Sequence, residues 1–206
     1  MESKIPLFSD KPDETKTAIL KATFDALVEH GYADLTIDRI GHHFSKSEGV
    51  VFYHYEEKDE ILLDLLDYLL ERFVQIGVPI SNDGCPETQL RTLLNQVISR
   101  ASGQQARDYE IVLTELRMRA AQDEEFRELI DKSQDIFRNK VKEITRNGIE
   151  SGDFREADPD LVADFLTTLV SGEIFEQVTS GTSRSIQSEV DNYIEYRLLA
   201  EQNSAP

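Results

Sequence analysis

The chain contains no tryptophan, only one cysteine, 6 prolines and 10 glycines among its 206 residues. The lone Cys85 excludes an intrachain disulfide and a metal site built on paired cysteines. Few prolines and glycines favour helices over a turn-rich β fold. No apolar run approaches the roughly 20 residues of a membrane-spanning helix, and the first residues lack the apolar stretch of a signal peptide. We therefore expect a cytoplasmic protein with no membrane partner.

Apolar residues recur at helical spacing along most of the chain, which predicts amphipathic helices. Neither an internal repeat nor an alternating strand pattern is present. The fold class predicted is therefore all-α, with about nine helices. The predicted helices cover residues 13–30, 36–44, 47–55, 57–77, 87–101, 106–121, 123–150, 158–178 and 186–199.

The stretch 36–61 predicts two short helices joined by a tight turn. Ile37, Ile40 and Phe44 share one helical face, and Thr36 precedes it as an N-cap. Ser47 can cap the second helix after the break at 45–47. Two short helices meeting at such a turn form a helix-turn-helix, whose second helix can enter the major groove of DNA.

The residues of this stretch resemble the DNA-binding domain of TetR-family transcriptional regulators. The resemblance is carried by 47–61, SEGVVFYHYEEKDEI, and upstream by 19–24 and 31–41. It implies a three-helix helix-turn-helix domain over 13–60 and a larger helical ligand-binding and dimerisation domain over 61–201. The chain departs from the family pattern at Ser45-Lys46, where Gly-Val is usual, and at Phe52, where Tyr is usual.

Eight residues are candidates for DNA contact, and all of them except Glu48 match positions that face DNA in that family. Side chains of Thr36, Tyr53, His54 and Lys58 suit phosphate contacts, which fix register without reading sequence. Base edges are expected to be reached from the start of the second helix, at Lys46, Ser47, Glu48 and Gly49. Glu48 either accepts a hydrogen bond from a cytosine amino group or stabilises the helix N-terminus through its negative charge.

Three aromatic and aliphatic side chains of the same helix are assigned to the core instead. They are Val51, Phe52 and Tyr55. His42, His43 and His54 lie close together in the sequence and are candidate metal ligands. No Cys, Asp or Glu completes a recognisable ligand spacing with them. No nucleophile elbow, P-loop or dinucleotide fingerprint occurs. We therefore predict no metal, no cofactor and no enzyme activity.

The resemblance also implies a ligand pocket and a dimer. Tyr109, Arg117, Phe137 and Phe165 are candidates to line the pocket, with Arg117 either meeting an acidic effector or making a surface ion pair. The last two helices are rich in apolar residues and are expected to form a homodimer interface. A dimer would place two recognition helices on a palindromic operator. The implied mechanism is repression that an unidentified small-molecule effector relieves.

The shortage of basic residues conflicts with DNA binding in ordinary salt. The net charge is −18, and residues 1–60 hold 7 basic and 13 acidic side chains. An acidic surface repels phosphates, but at molar salt the Debye length falls to about 3 Å and distant repulsion vanishes. One hypothesis is adaptation to a salt-rich cytoplasm. The alternative is a helical protein-interaction module that keeps the fold but no longer binds DNA.

Overall fold

The structure is a computed structural model that describes residues 7–8, 15–44, 48–77, 84–98, 104–180 and 185–200. These residues form nine α-helices, one π-helical turn and an isolated β-bridge, which confirms the all-α fold class. The helices are α1 Thr15–Asp34, α2 Ile37–His43, α3 Glu48–His54, α4 Lys58–Gly77, α5 Pro86–Ile98, α6 Gln104–Arg119, α7 Glu124–Ser151, α8 Pro159–Thr179 and α9 Gln187–Tyr193.

Several helices begin at side chains that satisfy free backbone N–H groups. The Thr36 hydroxyl accepts from the Arg39 N–H at 3.2 Å, which confirms the predicted cap of α2. At α8 the Asp158 carboxylate accepts from the Asp160 N–H at 2.9 Å, with Pro159 in the first helical position. The predicted cap Ser47 lies outside the described residues.

The end of the chain differs from the single helix predicted over 186–199. Helix α9 stops at Tyr193 and gives way to a π-helical turn, Ile194–Leu198. The Leu199 N–H donates to the Ile194 carbonyl at 2.9 Å, a five-residue step. Leu199 also forms the isolated antiparallel bridge with Phe154. This long-range pairing explains why helical periodicity did not predict the wider turn.

The helices belong to two compact units. The first contains the described residues up to Ile76 together with Gln104–Lys132, and the second contains those of Gly77–Gly103 and from Ser133 onward. These units group helices by contact and are a different division from the predicted functional domains 13–60 and 61–201, which stay a prediction.

The core of the first unit forms around α1 and α4. Helix α1 packs against α2 and α6, and α2 packs against α3. Apolar residues lie on more than one face of α4, and most of them are buried, whereas Leu63 and Phe73 are partly buried. Those with no solvent exposure are Ile61, Leu62, Leu65, Leu66 and Leu69.

In the second unit, α5 packs against α8 and α9. Gly148, in the last turn of α7, allows the ring of Phe154 to pack closely against the helix. A Cβ at this position would lie 2.2 Å from a ring carbon of Phe154. The Phe154 N–H donates to the Gly148 carbonyl at 2.9 Å, and the Arg155 N–H donates to the Leu198 carbonyl at 2.7 Å. These hydrogen bonds join the end of α7 to the π-helical turn at Ile194–Leu198.

Candidate nucleic-acid interface

The second helix of the helix-turn-helix, α3, is anchored by two side chains. Val51 has no solvent exposure, and Tyr55, directly after the helix, is also buried. The Tyr55 hydroxyl donates to the Asp64 carboxylate on α4 at 2.8 Å. Burial and this acidic neighbour raise the pKa of Tyr55, so the phenol keeps its proton. Both residues were predicted as core, and both predictions are confirmed.

The third predicted core residue of α3, Phe52, is wrongly assigned, because its side chain is 57% exposed. A seven-residue helix held at Val51 and Tyr55 turns the intervening positions outward. Tyr53 is 86% exposed, and its ring meets the ring of His54 edge-on at 5.4 Å. Three consecutive solvent-facing rings therefore end this helix, where the fold does not need them for packing.

The remaining predicted DNA contacts differ in what the structure shows of them. Thr36 is exposed at the start of α2, and Gly49 is exposed on α3, where a Cβ would meet no atom within 4 Å. Glu48 opens α3. Lys46 and Ser47 lie outside the described residues.

Lys58 starts α4 and is half-buried, with its ammonium nitrogen 4.7 Å from the centroid of the Tyr32 ring. This distance is suitable for a cation–π contact. The contact holds the Lys58 ammonium group over the Tyr32 ring, beside the helix-turn-helix. Tyr32 was not predicted to have this role.

Two contacts connect α6 to the same region. The Tyr32 N–H donates to the Glu115 carboxylate at 3.0 Å, and the Arg119 guanidinium pairs with Asp59 at 2.7 Å. Glu115 and Arg119 lie one helical turn apart on α6, so one face of this helix holds both contacts. Their partners lie 83 and 60 residues away in sequence, which is why no local pattern predicted them.

Most cations near the helix-turn-helix already neutralise carboxylates. Lys16 pairs with Asp64 at 2.9 Å and Lys21 with Asp25 at 2.6 Å, while Arg39 lies 4.0 Å from Asp34. Of the described cations between residues 15 and 58, this leaves Lys58 with an aromatic partner. Few positive charges therefore remain for phosphates, in agreement with the acidic composition.

The four candidate ligand residues lie in both units. Tyr109 is buried in the core of the first unit and donates to the Leu69 carbonyl at 3.2 Å. Arg117 is half-buried, and its Nε atom has no hydrogen-bond partner among the described residues. Phe137 is buried in the second unit. Phe165 is 46% exposed and stacks on Tyr193 with ring centroids 4.5 Å apart.

One cluster of potential metal ligands was missed by the sequence analysis. Glu29, His30 and His43 bring three ligand atoms within 4.8 Å of one another. The sequence analysis considered His43 only together with His42 and His54, whereas the structure places it beside Glu29 and His30 of α1. Among the described helices none is long and apolar enough to cross a membrane.

Comparison with known proteins agrees with this geometry. Residues 19–65 match the model of the bacterial regulatory proteins of the tetR family. Residues 86–195 match that of the C-terminal domain of BetI-type transcriptional repressors. The two matches together cover the helix-turn-helix and most of the remaining helices.

Individual relatives give the same result. A TetR transcription regulator from Haloarcula marismortui is 33% identical, covers 89% of this chain and 97% of its own, and superposes with a TM-score of 0.81. The HTH-type transcriptional repressor AcnR of Corynebacterium glutamicum is 25% identical over 88% of this chain and 92% of its own. A putative transcriptional regulator from Saccharomonospora viridis, solved in complex with choline, shares the fold at 20% identity and a TM-score of 0.77, over 90% of this chain and 98% of its own. This chain belongs to the TetR family and is a DNA-binding transcriptional regulator of the repressor type.

Proposed function

We propose that the protein is a homodimeric repressor that binds a palindromic operator and leaves it when a small molecule binds. The observation that carries DNA contact is the exposed end of α3. Exposing large aromatic rings to water has no folding benefit, whereas a Tyr hydroxyl and an imidazole can donate to phosphate oxygens. Tyr53 and His54 therefore serve as backbone contacts, together with Thr36 and Lys58.

Sequence reading is assigned to the turn and the first residues of α3. Lys46, Ser47, Glu48 and Gly49 come where a recognition helix usually meets base edges. The open space around Gly49 supports a close approach of the backbone to DNA. Each good base contact would contribute about 1–3 kcal/mol of discrimination.

The dimer surface is assigned to α8 and the final helical segment. Leu161, Phe165, Thr168, Gly172 and Phe175 are all exposed on α8 and recur at steps of four and three residues. This spacing makes a continuous stripe, hereafter the α8 stripe, of the kind that packs against a second helix. The exposure of Phe165 favours this role over a pocket wall. Tyr196, 64% exposed in the π-helical turn, supports a contribution from the chain end.

Effector release is assigned to α6. A ligand that favours another position of α6 would break or strain the Tyr32–Glu115 and Arg119–Asp59 contacts, which hold α6 to α1 and α4. Such a ligand can shift the population off DNA only by its differential affinity for the two states. Arg117, with its unpartnered Nε, is proposed to meet an acidic effector, and Tyr109 of the same unit to supply apolar contact.

The test is fluorescence anisotropy with DNA from upstream of the protein's own gene, titrated from dilute to molar KCl. Tight, sequence-dependent binding that survives molar salt is expected. Lys58→Ala and Tyr53→Phe should weaken binding on all sequences and make the salt slope about one unit shallower for the lysine. Lys46→Ala should also change which sequences bind best.

Lys21→Ala is the matched control, because it removes the same charge from α1 without touching a proposed DNA contact. Equal losses in Lys21→Ala and Lys58→Ala would show a general charge effect and contradict the assignment. Failure of the folded dimer to select any sequence from a random library would instead favour the interaction-module alternative.

A further inference from the structure

Two histidines from different helices meet around one carboxylate at the back of the helix-turn-helix. His43, the last residue of α2, lies with its Nε2 atom 3.2 Å from one oxygen of Glu29. His30, near the end of α1, lies with its Nε2 atom 3.7 Å from the other oxygen. The two imidazole rings are 6.2 Å apart and steeply inclined, so they converge on the carboxylate without stacking.

The burial of these groups distinguishes them from an ordinary surface ion pair. The side chains of His30 and His43 are only 26% and 24% exposed, whereas that of Glu29 is 60% exposed. Two imidazoles are therefore held by packing, with a flexible carboxylate on the solvent side. One coordination position faces water.

The distances are close to those of a tetrahedral zinc site. Zinc binds imidazole nitrogen and carboxylate oxygen at about 2.0–2.2 Å, which separates neighbouring ligand atoms by about 3.4 Å. The His43–Glu29 distance of 3.2 Å fits, and the His30–Glu29 distance of 3.7 Å is slightly wider, although the two end on different oxygens of the carboxylate. With one ligand atom taken from each residue, all three atoms lie within 4.8 Å of one another. Binding one ion would draw the two imidazole nitrogens and one Glu29 oxygen closer together.

The donor set also selects the type of ion. Two imidazoles and one carboxylate suit zinc and similar transition ions, whereas calcium and magnesium prefer oxygen ligands alone. We propose that Glu29, His30 and His43 bind one Zn²⁺ per chain, with water as the fourth ligand.

The position of this site gives it a consequence for the helix-turn-helix. Glu29 and His30 belong to α1, and His43 belongs to α2, one residue before the Phe44 C-cap. A metal ion here joins α1 to α2 by bonds that the unfolded chain does not make in this arrangement. Binding therefore stabilises the folded first unit in proportion to the free ion concentration.

The test uses the full chain, freed of metal by chelation and titrated with Co²⁺ and then Zn²⁺. Co²⁺ should give the intense visible absorption of a tetrahedral site at one ion per chain, and Zn²⁺ should displace it. Zn²⁺ should also raise the melting temperature. His30→Ala and His43→Ala should remove the absorption band and the rise in melting temperature.

His42→Ala is the matched control, because His42 is the neighbour of His43 on α2 and is exposed beside Asp38 instead. Its cobalt spectrum and affinity should equal those of the wild type. Glu29→Gln tests the same site with little risk to folding, since Glu29 is exposed, and should weaken Zn²⁺ binding about tenfold or more. An unchanged spectrum in Glu29→Gln and His43→Ala, or an equal loss in His42→Ala, would overturn the proposal.

Discussion

At the scale of single residues, two glycines occupy places where a side chain cannot fit without strain. Gly31 has φ 71° and ψ 168°, a conformation that essentially only glycine adopts, and it breaks α1 just before Tyr32. This break lets the Tyr32 N–H point at Glu115 on α6. Gly148 instead has an ordinary helical role, but the ring of Phe154 covers its Cα.

Gly148→Ala should destabilise the protein, because the new methyl group would lie 2.2 Å from the Phe154 ring. Overpacking of this kind typically costs about 1–3 kcal/mol, measurable by urea denaturation. In Phe154→Ala the same substitution should cost much less, since the obstacle is gone. Equal costs in both backgrounds would show that the ring is not the reason for glycine at this position.

Glu115→Gln should change how stability depends on pH. Burial raises the pKa of the Glu115 carboxyl above its ordinary 4.5, an effect larger than the opposing hydrogen bond from Tyr32. The folded state therefore holds this proton more tightly than the unfolded state, and stability falls as the pH rises from 4.5 through the raised pKa. Glutamine keeps an oxygen for the Tyr32 N–H but does not titrate.

Melting temperatures of both proteins across this pH range provide the measurement. The wild type should lose stability relative to Glu115→Gln as the pH rises, and the difference should become constant above the raised pKa. Glu128→Gln, on the exposed surface of α7, controls for removal of one negative charge. If the melting temperature of the wild type instead rose relative to that of Glu115→Gln with increasing pH, the hydrogen bond from Tyr32 would outweigh the effect of burial.

At the scale of elements, α8 is apolar on two faces. Val162, Leu166, Val170 and Ile174 are buried within the second unit. The α8 stripe is exposed on another side of the same helix. A helix that is apolar around much of its circumference is normally buried on both sides, which supports the proposed dimer surface on the exposed side.

Phe175→Glu should convert the dimer to monomers, because a charge would lie within an apolar helix contact. Analytical ultracentrifugation would measure the change, and circular dichroism would verify that the helices persist. Met118→Glu is the control, since it places the same charge on a similarly exposed apolar residue of α6 outside the stripe. Dimerisation that survives Phe175→Glu and Phe165→Glu would remove the α8 stripe from the interface.

At the scale of the whole molecule, the net negative charge affects both folding and DNA binding. A net charge of −18 destabilises the compact state through self-repulsion and repels the DNA backbone. The Lys16 and Lys21 cations of α1 are engaged with carboxylates of the protein itself. The hypothesis of salt adaptation assigns the screening of the remaining acidic side chains to dissolved cations.

The folded state should become more stable as KCl rises from dilute buffer to molar concentration. Screening shortens the range of repulsion to about 3 Å at molar salt. Helicity and melting temperature followed by circular dichroism would measure this, with sucrose as a control for effects that do not depend on charge. Full stability in dilute buffer would contradict adaptation to a salt-rich cytoplasm.

Helical periodicity and capping residues by themselves determined most of the local structure. The capped start at Thr36 and the start of α4 at Lys58, one residue after the predicted start at 57, follow from residues close in sequence. Helix α1 instead continues past the predicted end at residue 30 to Asp34, with a kink at Gly31. The all-α class and the helix-turn-helix follow for the same reason. Short-range hydrogen bonding and the 3.6-residue period of the apolar face control these features.

Features that depend on residues distant in sequence were decided only by the tertiary structure. The outward position of Phe52 depends on how Val51 and Tyr55 are anchored, and the π-helical turn depends on the bridge between Leu199 and Phe154. The approach of His43 to Glu29 likewise needs the packing of α2 on α1. Local periodicity contains no information on such pairings, because they arise when separate helices bury their apolar faces together.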